Sequence, residues 1–147
     1  MKNHILLIGE EKKELEMFEE ALQQVHGAVN CTYAGEALHA LEAIRRARPD
    51  IVFINFATQP DSSLQVLSVI KSEPVLKYIR VFLYAEAISE EVNKMAKVLG
   101  ASGCLEKTTC ETTLRRELQA ILDPQLLPGY IFLRRLDNFH GTLVCVD

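Results

Sequence analysis

Pro49-Asp50-Ile51-Val52-Phe53-Ile54-Asn55 is the stretch on which the fold of this chain turns. Ile51 to Ile54 are apolar without alternation, the pattern of a strand buried on both faces in a parallel sheet. Pro49 disfavours helix in the residue before it, so a preceding helix has to stop there. The strand delivers one polar side chain to its carboxyl end, Asn55. An aspartate in that place could attack phosphorus, whereas a carboxamide is uncharged and a poor nucleophile.

Outward from this strand the same unit repeats. Ile5 to Ile8 is a short apolar run, followed by Leu15, Phe18, Leu22 and Val25 on one helical stripe. Val29 to Tyr33 reads as a strand, and Leu38, Leu41 and Ile44 after Gly35 as the inward face of a helix that the approach of Pro49 ends. Beyond Asn55, Asp61 or Ser62 can cap a helix with the stripe Leu64, Leu67 and Ile70, closed by Pro74. Val81 to Leu83 is a strand, and Ser89 caps a helix with Val92, Met95 and Leu99 turned inward and Gly100 at its end. Gly103 to Leu105, a capping box spaced from Thr108 to Glu111, and the stripe Leu114, Leu118, Ile121 make the last unit. Parallel neighbours need crossover connections, so these five units predict an α/β, doubly wound five-stranded parallel sheet with helices on both faces. Sites in such sheets lie outside the carboxyl ends of the strands, which selects the loops after Ile8, Ile54, Leu83 and Leu105.

The 147 residues, 48% hydrophobic and 24% charged, suffice for one domain with a real core. A net charge of -4 lacks the concentrated basic face that grips nucleic acid or an anionic membrane. Arg45, Arg46 and Arg48 form the one tight basic cluster, placed where a helix end favours cations. The amino terminus does not read as a signal peptide, and no apolar stretch approaches the roughly 20 residues that span a bilayer, so the expected location is the cytoplasm. Cys31, Cys104, Cys110 and Cys145 match no zinc spacing and are expected as thiols. His4, His26, His39 and His140 are scattered, and no Cys or Ser stands beside a His with an orienting acid, so no enzyme is expected.

Four segments carry a family resemblance. HILLIGEE (His4 to Glu11), PDIVFINF (Pro49 to Phe56), VFLYAEA (Val81 to Ala87) and GASGCLEK (Gly100 to Lys107) resemble, in order and spacing, the receiver domain of two-component response regulators, the CheY-like superfamily. The resemblance covers Met1 to about Leu122 and implies a flavodoxin-like fold with strand order 2-1-3-4-5, residues 1–122 forming the receiver-like domain. It places Gly9 where a receiver has the first acid of its metal-binding pair, Glu10 at the second, and Glu11 next. On this resemblance Asn55 stands in place of the phosphoacceptor aspartate, which implies a pseudo-receiver. Tyr84, followed by Ala85, occupies the place of the small hydroxyl residue that follows the phosphoryl group inward. Cys104 takes the place of the aromatic that rotates with it, and Lys107 matches the phosphate-contacting lysine. A magnesium ion would then meet Glu10, the Asn55 amide and the Ala57 carbonyl where it prefers several charged oxygens. Metal binding is therefore expected to be weak or absent, and no cofactor is expected. A large residue has become small at Cys104 and a small one large at Tyr84, which suggests that the ring fills the volume given up. Lys107 reads either as a residual anion site or, the favoured expectation, as a partner of Glu10 or Glu11 that neutralises the loop.

Residues 123–147 fall outside the receiver pattern. Pro124, Pro128 and Gly129 read as a linker, and Tyr130 to Leu136 with Thr142 to Val146 as a β-hairpin docked on the receiver or on a second subunit; a helix through Leu133 to Phe139 is the alternative. The extension is too short to be a DNA reader. The expected function is a receiver-like module in two-component signal transduction, not phosphorylated on aspartate, that works by protein contact. The contact uses the face of the fourth strand, fourth helix and fifth strand, or the tail. Expected partners are a histidine kinase or another signalling protein, with a homodimer open and with neither nucleic acid nor membrane. The alternatives are a phosphorelay receiver whose acceptor is Glu10, Glu11 or Tyr84, and a flavodoxin-like ligand-binding protein. The single glycine of the acidic loop Gly9 to Glu14 speaks against the last, since phosphate-cradling loops are rich in glycine or hydroxyls.

Overall fold

A computed structural model gives the chain its three-dimensional form and describes residues 3–9, 12–25, 29–56, 60–123 and 129–133, to which every structural statement below refers. Strands and helices alternate as β1 (Asn3–Ile8), α1 (Lys12–Val25), β2 (Val29–Ala34), α2 (Ala37–Ala47), β3 (Ile51–Asn55) and α3 (Pro60–Ser72). They continue as β4 (Arg80–Ala85), α4 (Glu90–Val98), β5 (Gly103–Glu106), α5 (Glu111–Leu122) and β6 (Ile131–Leu133). The sheet order is β2-β1-β3-β4-β5-β6, and every pairing is parallel.

The α/β, doubly wound parallel sheet is as expected, but it has six strands instead of five. The sixth comes from the extension. Expected as the first arm of a hairpin, Ile131–Leu133 runs parallel to β5, with Gly103 opposite Ile131, Cys104 opposite Phe132 and Leu105 opposite Leu133. The physical reason is that β5 would otherwise be a bare edge with unpaired backbone groups, and a strand laid along it satisfies them. Thr142 to Val146 lies outside the described residues, and so does the alternative helix apart from Leu133, which is strand.

Both faces of the sheet are covered, so the central strands need no alternation. All of β3 is buried. One face packs Ile5, Leu7, Phe53, Phe82, Tyr84 and Leu105 against Phe18 and Leu22 of α1 and Leu114, Leu118 and Ile121 of α5. The other packs Leu6, Ile8, Val52, Ile54, Leu83 and Cys104 against Ile44 of α2, Leu67 and Ile70 of α3 and Ala96 of α4. β6 extends both cores at once, because Ile131 and Leu133 join the first and Tyr130 and Phe132 the second.

Helix ends bear out some expectations and correct others. Ser89 caps α4 by accepting from the Val92 amide at 3.1 Å. Gly100, with φ +98°, carries the left-handed turn beyond α4. Met95, expected inward, is 45% exposed, and Ala96 is the buried residue of that turn. The capping box at Thr108 does not form, because the N-cap of α5 is Cys110 and makes no side-chain cap bond. The Thr108 hydroxyl accepts instead from the Cys110 amide at 3.0 Å, closing a turn before the helix starts. α3 begins at Pro60, which places Asp61 in its first turn rather than at the cap. The basic cluster sits at the end of α2 as expected, with Arg48 as a left-handed C-cap at φ 47° and Arg45 ion-paired to Glu73 at 2.6 Å. Cys31 and Cys104 are free thiols, but Cys110 is disulfide-bonded, against expectation. Among the described residues no helix is long and apolar enough to cross a membrane.

Candidate functional site

Strand register gathers the expected positions at one end of the sheet. Ile8 lies beside Ile54, Asn55 beside Tyr84, and Ala85 beside Glu106. Hydrogen bonds extend past the strand ends: Gly9 N–H to the Ala34 carbonyl at 3.0 Å, Phe56 N–H to Tyr84 at 2.9 Å, and Lys107 N–H to Ala85 at 2.8 Å. Gly9, Asn55, Tyr84, Ala85 and Lys107 are thereby brought to a common rim. Glu10, Glu11 and Ala57 fall outside the described residues.

Asn55 is 2% exposed and lies directly against Gly9. A Cβ at position 9 would stand 2.9 Å from the Asn55 Cβ, closer than two carbon atoms tolerate, and in ordinary contact with its Nδ2 at 3.4 Å. A side chain at position 9 would therefore force the Asn55 backbone or its own to shift, and position 9 brings no acid beside the amide. Together the two positions supply a single neutral amide where a divalent cation prefers charged oxygens. Among the described residues no group of three or more His, Cys, Asp or Glu is placed to hold a metal ion.

The Tyr84 ring is 4% exposed and packs at a tilt on Phe18, 5.6 Å between centroids, and edge-on to Phe53 at 6.4 Å. Phe53 in turn touches Phe18 at 5.2 Å and stacks on Phe82 at 5.3 Å, so Tyr84 completes an aromatic cluster between β3, β4 and α1. Offset and edge contacts of this kind add to plain burial. Lys107, expected to pair with acids that are not described, holds its Nζ 5.3 Å from the centre of the Tyr84 ring, a cation–π geometry. A residue in the place of the small hydroxyl thus roofs the core on one side and carries the rim lysine on the other.

The exchange of volume between Tyr84 and Cys104 does not occur. Tyr84 pairs with Leu105 and Leu83 with Cys104, so the two residues face opposite sides of the sheet and belong to separate cores. The aromatic beside Cys104 comes from the extension. The Tyr130 hydroxyl stands 2.7 Å from Asn93 Oδ1, 3.2 Å from the Asn93 carbonyl oxygen and 3.3 Å from Cys104 Sγ, and Lys97 Nζ lies 5.6 Å from the centre of its ring. Burial pushes the Tyr130 phenol up, and the hydrogen bond to Cys104 adds to the rise. The Cys104 thiol is also raised by burial, partly offset by that same bond. Both groups are neutral at physiological pH. Glu106, 4% exposed, accepts from the Ile88 amide at 2.7 Å and so ties the loop before α4 to the end of β5.

Tyr130, Asn93, Lys97 and Glu106 went unnoticed in the sequence. Gly103 was the available signal for the first three, since a glycine inside a strand marks the close approach of another backbone. Glu106 offered a carboxylate at the end of an apolar strand, which could have been read as an anchor.

No family profile and no curated protein matches the chain. Solved structures do. The receiver domain of a DNA-binding response regulator (merR) from Colwellia psychrerythraea 34H matches with TM-score 0.72 and 20% identity, covering 83% of this chain and 99% of that one. The chemotaxis response regulator CheY4 of Vibrio cholerae matches with TM-score 0.71 and 19% identity over 82% of this chain and 99% of its own. The phosphorylated cyanobacterial phytochrome response regulator RcpA matches with TM-score 0.73 and 20% identity over 88% and 97%. The fold is that of response-regulator receiver domains, and at these identities the likeness concerns the fold alone.

Proposed function

We propose that this chain is a receiver-like module of two-component signalling that is not phosphorylated at position 55 and transmits its signal by protein contact. The observation that carries the proposal is the buried Asn55 carboxamide packed on Gly9, because an uncharged amide stands where a nucleophilic carboxylate would be needed and position 9 brings no acid beside it. The Tyr84 ring supports it by filling the rim with a side chain anchored on Phe18 and Phe53, leaving no small hydroxyl to move. A pocket in this condition holds one state, so regulation would act on the amount of the module or on its contacts. The partner class is a signalling protein, a histidine kinase included; neither catalysis nor binding to nucleic acid or membrane is proposed, and a homodimer remains compatible. Titration of isotope-labelled protein with magnesium and fluoroberyllate tests the proposal. Amide resonances of Gly9, Phe56 and Lys107 are expected to stay in place, and saturable shifts centred on them would show a working phosphoryl pocket.

A further inference from the structure

Gly103 sits within β5, where a glycine weakens a strand unless something must come close. A Cβ there would run into the carbonyl oxygen of Ile131, so β5 is shaped for a neighbour. The neighbour is short. β6 has three residues, and a strand that brief gains little from pairing alone. Tyr130 supplies the rest, its hydroxyl on Asn93 and Cys104 and its ring beneath Lys97. Backbone pairing along a sheet edge with one side chain seated in a matching pocket is the construction by which sheets bind extended peptides. We propose that the groove between α4 and the edge of β5 is a binding site for an extended segment led by a tyrosine and running parallel to β5. Residues 130–133 are its tethered occupant, and a protein partner presenting such a segment enters by displacing β6. The chemistry is specific at two points. A phenylalanine would leave Asn93 Oδ1 without the phenolic donor, and any side chain at position 103 would close the edge. This goes beyond the function proposed above by naming a contact site and its ligand, and it is tested without reference to phosphorylation.

Cys104, 0% exposed beneath Tyr130, reports occupancy. The full chain is treated with a neutral thiol reagent, and labelling at Cys104 and Cys31 is followed by peptide mass spectrometry with and without the free peptide Gly-Tyr-Ile-Phe-Leu. In Tyr130→Ala, Cys104 labelling should rise by about tenfold or more, the scale of losing one anchoring aromatic. The peptide should return it toward the original rate, and a version with Phe for Tyr should protect less. In Gly103→Ala, Cys104 labelling should also rise, but the peptide should not protect, because its backbone is excluded. The proposal is overturned if Tyr130→Ala leaves Cys104 as protected as before, if the peptide gives no protection there, or if it protects Gly103→Ala equally. A parallel rise of Cys31 and Cys104 in both variants would also overturn it, since β6 would then be part of the core and not a displaceable occupant.

Discussion

Tyr84 and Cys104 pose the same problem, a residue of unexpected size on a buried strand, and the molecule solves it differently at each. At Tyr84 the solution is local, an aromatic cluster with Phe18 and Phe53 inside one core. At Cys104 the missing ring is provided from 26 residues further along the chain by Tyr130. Matching gains and losses of volume along a sequence do not imply exchange in space. The parity of strand positions decides which face each residue meets, and here the two meet opposite faces.

That contrast can be broken most forcibly at Tyr84. Tyr84→Ala should lower the unfolding free energy by about 3–5 kcal/mol in urea, the usual cost of deleting a buried aromatic. Tyr84→Thr should also destabilise; a gain would mean the ring is overpacked. Pairing Tyr84→Thr with Cys104→Tyr is the sharper test, because side chains on opposite faces should not rescue one another, while a double variant more stable than the sum of the two single changes would reinstate the exchange of volume. Gly9→Asp comes next, at about 1–3 kcal/mol for forcing a Cβ against the Asn55 Cβ, and combined with Asn55→Gly, which removes that atom, it should cost less in thermal unfolding than the sum of the two single changes. Tyr130→Phe should lose about 1 kcal/mol by the same measurement, the value of its hydroxyl contacts.

The smallest effect concerns the surface pair of Arg45 and Glu73. The hydrogen bond from Arg45 holds the Glu73 carboxyl below its ordinary pKa. A depressed folded-state pKa gives stability that is present above the ordinary carboxylate value and is lost as pH falls through the depressed one. The melting temperatures of the parent chain and Glu73→Gln should therefore converge on acidification, and a gap that does not vary with pH would exclude this origin.

The alternation of apolar runs and helical stripes made the five-unit core legible, because burial on both faces leaves an unbroken mark such as Ile51 to Ile54. Asn55, Gly9, Tyr84 and Lys107 were legible too, since strand ends fix which residues reach the rim. Their packing was not. The contact between Gly9 and Asn55 depends on backbones brought together across β1 and β3, and the facing of Tyr84 and Cys104 on register. The sixth strand was hardest to foresee, because Ile131 to Leu133 has the composition of either a hairpin arm or an edge strand, and only the bare β5 edge with Gly103 favours the second.

Everything functional rests on the side chain at position 55, and incubation of the full chain with acetyl phosphate and magnesium, followed by intact mass measurement, addresses it most directly. The expected spectrum is unchanged from that of the untreated protein. A covalent gain of one phosphoryl group would contradict an inert pocket, and its location at Glu10, Glu11 or Tyr84 would identify a relay receiver with a different acceptor.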